Sequence, residues 1–144
     1  MIRRRLVLAA AALAPLALAL PRTARAAEPR VFQSRRGTIN GIDPVAYFDG
    51  NGPVAGNPGI THDWDGATWL FASEANRDAF AAEPQRFAPV FGGYCAFAAS
   101  RGYLAPTIPE AWSIYDDRLF LNANLRAREL WTAELPNVIA QGEA

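Results

Sequence analysis

Thr61-His62-Asp63-Trp64-Asp65-Gly66-Ala67-Thr68-Trp69-Leu70-Phe71, followed at once by Ala72-Ser73-Glu74-Ala75-Asn76, decides the fold class. Asp65-Gly66 is a type I′ turn signal, because both central residues of that turn need a positive φ. Trp64, Trp69 and Phe71 suit the strands on either side. Ser73 can then cap a helix by accepting from an unpaired N–H of its first turn. Glu74 stands at the positive end of that helix dipole. A hairpin running straight into a helix predicts an α+β domain.

The flanking sequence extends this pattern. Gly50 to Gly59 holds four glycines and two prolines and reads as a loop. Pro84 ends the first helix or opens another short turn. Phe91-Gly92-Gly93-Tyr94-Cys95-Ala96 brings the chain through paired glycines into a short helix that stops at Gly102. Trp112–Tyr115 and Arg118–Leu121 flank Asp116-Asp117 as a second hairpin, in which Asp117 must take a positive φ. A helix is expected from Asn122 to Glu134, and Pro136 suits the first position of one more turn. Residues 27–40 read as a polar arm with one short strand near Val31. The expectation is one compact α+β domain with two β-hairpins and three to four short helices.

Composition narrows the function classes. The 144 residues include 14 arginines, no lysine and one cysteine. A single cysteine excludes an intrachain disulfide and any site needing two thiolates from one chain. Five arginines precede Ala27, whereas all 14 acids follow it. Arg3-Arg4-Arg5, the 15-residue run Leu6 to Leu20, and Ala24-Arg25-Ala26 form the layout of an export signal cleaved after Ala26. A membrane anchor would want a longer run of about 20 strongly apolar residues. The arginine pair before Leu6-Val7-Leu8 resembles a twin-arginine signal, without its usual preceding Ser or Thr. A periplasmic or secreted location follows, with no membrane span after cleavage. Residues 27–144 carry nine arginines against 14 acids, net −5. That balance disfavours nucleic acid and anionic lipid, both of which reward positive charge.

Few residues can carry chemistry. Residues 27–144 hold one histidine, His62, and one thiol, Cys95. Cys95 follows Gly92-Gly93 near a helix start, where N–H groups favour a thiolate. The local sequence reads first as a small buried hydrophobe between Tyr94, Ala96 and Phe97, which is how most free cysteines behave. His62 reads as a ligand oriented by Asp63 or Asp65, or as a strand histidine facing solvent. The tryptophans and phenylalanines read as core, or as the lining of an apolar pocket.

Taken in order, several motifs resemble the YHS domain family over about residues 37–140. They are Gly41-Ile42-Asp43-Pro44-Val45-Ala46-Tyr47-Phe48, Trp69 to Arg77, Phe80 with Pro84 and Phe87, Phe91 to Ala96, and Leu119-Phe120-Leu121-Asn122. The chain is most similar to the exported single-domain branch. The wider family is associated with heavy-metal handling, through cysteines that match Ala46, Ala72 and Asn76 here. All three thiols are absent here, so the family's metal site does not carry over; what remains is Cys95 in the Gly-Gly-Tyr-Cys motif, and the leading expectation is a soft metal, copper first, held by Cys95 with His62 as its auxiliary. Copper(I) accepts thiolate and imidazole. One Cys and one His make a thin site unless two chains share it, so a homodimer or protein partner is the matching expectation. The alternative is a non-metal accessory module that offers an aromatic pocket to a protein partner or small ligand. A thiol enzyme comes third, and no catalytic residue is assigned.

Overall fold

The hairpin and the helix that it leads into are both present in the computed structural model, which describes residues 27–144 together with Ala11, Ala12 and Pro15. The expected export signal, residues 1–26, lies outside the described residues apart from those three. Among the described residues no helix is long and apolar enough to cross a membrane.

Strands β1 (Gln33–Ser34) and β2 (Gly37–Thr38) form a small antiparallel ribbon. The main hairpin pairs β3 (Asn57–Trp64) with β4 (Ala67–Phe71), His62 opposite Trp69, with an irregularity between Asn57 and Thr61. Asp65 and Gly66 take φ of 51° and 76°. Helix α1 (Glu74–Ala82) starts with Ser73 Oγ accepting from Asn76 N at 3.1 Å. Pro84 opens the single turn α2 (Pro84–Phe87). Helix α3 (Ala96–Ser100) precedes β5 (Trp112–Tyr115) and β6 (Arg118–Leu121), which pair antiparallel through Asp116 and Asp117. Both aspartates take a positive φ, 52° and 57°, where the expectation concerned Asp117. Helices α4 (Leu125–Ala133) and α5 (Asn137–Glu143) complete the described chain.

The architecture is α+β, with five α-helices and three separate two-stranded antiparallel ladders among the described residues. The count exceeds the expected two hairpins and three to four helices for local reasons. The stretch expected to be a polar arm instead buries Val31, Phe32, Thr38 and Ile39, and the β1–β2 ribbon is what allows it. Helix α4 begins later than expected because Asn124, not Asn122, is the cap: its Oδ1 accepts from Ala127 N at 2.7 Å. Asn122 is fully buried and bonded elsewhere.

Strand β6 divides the interior. Its alternation sends Leu119 and Leu121 into the larger cluster with Trp69, Phe71, Phe80 and Tyr47. Phe120 faces the other way, into a smaller cluster with Ala96, Trp131 and Val138. The Phe120 and Trp131 rings lie 4.7 Å apart. The β5–β6 hairpin is thereby fixed from both sides, and β5 is left to form a wall facing solvent.

Candidate functional site

Cys95 is held inside the fold. It is 2% exposed and packs in a small cluster with Ala98 and Ala127. Its Sγ accepts from Ala98 N at 3.5 Å, as the cap of α3, and from Ala123 N at 3.2 Å. The thiol faces Asn122 Oδ1 at 3.5 Å, and the same oxygen accepts from Phe97 N at 2.9 Å. The sulfur is therefore the polar bolt between α3 and the end of β6.

His62 lies elsewhere. It is half-buried on the inward face of β3, its ring edge-on to Phe80 at 6.2 Å. Neither expected partner orients it: Asp63 Oδ1 accepts from Thr68 Oγ1 at 2.7 Å, and Asp65 pairs with Arg30 at 3.2 Å. Cys95 packs in its own small cluster, whereas His62 lies against Phe80 of the larger one. Among the described residues no three or more His, Cys, Asp or Glu side chains gather as a metal-holding group.

The motif Gly41 to Phe48 conceals a fully buried carboxylate. Asp43 Oδ1 accepts from Val45 N at 2.8 Å and Ala46 N at 3.3 Å. Its Oδ2 accepts from Ala72 N and Asn76 Nδ2, both at 2.8 Å. Four donors on one carboxylate supply the pairing that a buried charge requires. This hub joins the 3-10 turn Ala46–Asp49 to the start of α1, and so places Tyr47.

Tyr47 forms part of an open groove of about 500 Å³ between that turn, β5 and α4. Trp112 and Ile114 line it from β5, Arg128 and Trp131 from α4, and Leu135 closes one end. The Tyr47 and Trp112 rings lie 5.6 Å apart. Tyr47 Oη donates to Pro109 O at 2.9 Å, so its hydroxyl is occupied by the fold. Burial first, and the Glu110 carboxylate second, hold this phenol well above its ordinary pKa. Arg128 Nε donates to Ser113 Oγ at 3.1 Å across the rim. A second hollow along α4, lined by Leu125 and Glu129, shares Arg128 and Thr132 with the first. Trp131 Nε1 is buried and has no hydrogen-bond partner among the described residues.

Tryptophans of both expected kinds, core and pocket lining, occur. Trp69 is core; Trp131, also fully buried, backs the groove from below, and half-buried Trp112 forms its wall. Arg128 and Asp43 were missed. An arginine three residues from a buried tryptophan on a short helix carries no signal of its own, since its partner Ser113 is on another element. Neither family models, nor curated proteins, nor solved structures match the chain.

Proposed function

We propose that this chain is an exported, non-catalytic binding domain of YHS-like build, whose working surface is the groove between β5 and α4. The observation that carries this reading is the groove itself. Aromatic and aliphatic side chains from three separate segments line one open hollow, with a single cation at its rim. Small-molecule sites have that character, an apolar lining with few polar groups, and volumes of roughly 300–1,000 Å³. Support for the YHS likeness comes from Ala46, Ala72 and Asn76, the positions set against family cysteines. All three donate to Asp43, so one carboxylate collects the places where thiols would stand. The test is titration with a neutral solvatochromic dye such as Nile red. Wild type and Cys95→Ser should both raise its emission, and Ile114→Arg should abolish the rise. A dye response untouched by Ile114→Arg would contradict the reading.

A copper(I) reading through Cys95 has one observation in its favour. Two backbone N–H groups converge on Sγ, so the sulfur already serves the fold as an electron-pair donor. Against it, the sulfur is buried and already engaged with three partners, and His62 lies against Phe80 of the larger cluster instead. Competition against a copper(I) chelator under reducing conditions separates the two readings. The groove account expects no competition by wild type; competition that Cys95→Ser abolishes would restore the metal.

A further inference from the structure

The charges around the groove point to the kind of ligand. Six of the nine arginines in residues 27–144 are in ion pairs: Arg30, Arg77, Arg86, Arg101, Arg118 and Arg126. Arg128 has no carboxylate partner among the described residues. It is tied by Nε to Ser113 Oγ at 3.1 Å, which leaves both Nη amines without a protein acceptor among those residues. The carboxylate next to it in sequence, Glu129, is already held by Arg126 at 3.1 Å. Arg35 and Arg36 are the other two arginines outside these pairs, and neither lines the groove; Arg128 is the one charged side chain among the groove's lining residues. Its guanidinium fork is planar and pre-organised, so less freedom is lost per hydrogen bond when an anion docks.

We propose that the groove takes a small amphipathic carboxylate, its flat apolar body against Trp112, Ile114 and Leu135 and its carboxylate on Arg128. This rests on the groove being the working surface. The two parts of such a ligand match the two parts of the site. The body displaces water from an apolar wall, and the head forms charge-assisted hydrogen bonds with the guanidinium, about twice as strong as neutral ones. A neutral amide of the same shape fits the wall and forfeits the ionic anchor.

Calorimetric titration of the purified protein with 2-naphthoate and its neutral isostere 2-naphthamide tests this. The acid should bind about tenfold more tightly than the amide in low salt, and added salt should narrow the gap. Arg128→Gln should lower acid affinity to that of the amide and leave the amide unchanged. Ile114→Ser, at a partly exposed position, should weaken both ligands together. Equal affinity of acid and amide for wild type overturns the carboxylate assignment and leaves the groove reading standing. Binding of neither, or a groove filled by a second copy of the chain in sedimentation, overturns both.

Discussion

Asn76 Nδ2 donates to Asp43 Oδ2 at 2.8 Å, a bond between two residues 33 positions apart that ties the first turn of α1 to the Gly41–Phe48 motif. Asp43 is fully buried, so its oxygens have no water to fall back on. Asp43→Ala should strand the donors of Val45, Ala72 and Asn76 and cost about 3–5 kcal/mol, the scale for breaking a buried charged network. Urea titration checks it. A midpoint within error of wild type would show that the hub is dispensable.

Gly92 and Gly102 both take a positive φ, 65° and 84°, and differ in surroundings. A Cβ at Gly102 meets nothing within 4 Å, whereas one at Gly92 is driven into the Arg30 carbonyl oxygen. Gly102→Ala should cost only the conformational term of about 1–2 kcal/mol. Gly92→Ala should cost clearly more, because backbone must move as well. Equal losses in thermal melts would mean that the Arg30 segment gives way freely.

Much of this fold was legible because its signals are local. Asp65-Gly66, Asp116-Asp117 and Ser73 act on their own neighbours, and each appears in the expected role. The β1–β2 ribbon was not legible, since Gln33 and Ser34 carry no strand signature and the ribbon exists to bury Val31 and Ile39. The groove was legible only as a choice between core and pocket. Tyr47, Trp112 and Trp131 meet through the packing of β6, which no local pattern reports. Cys95 illustrates the opposite limit: the sequence offered a thiolate or a buried hydrophobe, and the structure gives a buried sulfur with polar partners.

Those partners set the outcome of substitution at Cys95. Cys95→Ala leaves Ala98 N and Ala123 N without their acceptor and should cost about 1–3 kcal/mol. Cys95→Ser restores an acceptor and should cost less than Ala. The native thiol should resist Ellman's reagent until denaturant is added. Rapid labelling of folded protein, or serine more damaging than alanine, would contradict this placement.

Tyr47 gives the fold an alkaline limit. Its phenol is buried and its folded pKa stands above the ordinary value of 10.0. The raised pKa means that stability is complete below the unfolded pKa, about 10. It falls as pH climbs from there toward the folded pKa, because only the unfolded chain readily loses that proton. Tyr47→Phe should be less stable at neutral pH, having lost the bond to Pro109 O, by about 1 kcal/mol. It should also lose stability less steeply above pH ~10. Parallel slopes for the two proteins in alkaline urea titrations would refute this.

Ligands should meet this protein at the groove, and the four indole N–H resonances report on it directly. Trp112 and Trp131 line the groove, while Trp64 and Trp69 sit at the β3–β4 hairpin, packed against Phe80. Titration of ¹⁵N-labelled protein with 2-naphthoate should move the Trp112 and Trp131 signals and leave those of Trp64 and Trp69 in place. Shifts confined to Trp64 and Trp69, or to the amides of Ala98 and Ala123 that cap Cys95, would contradict the account.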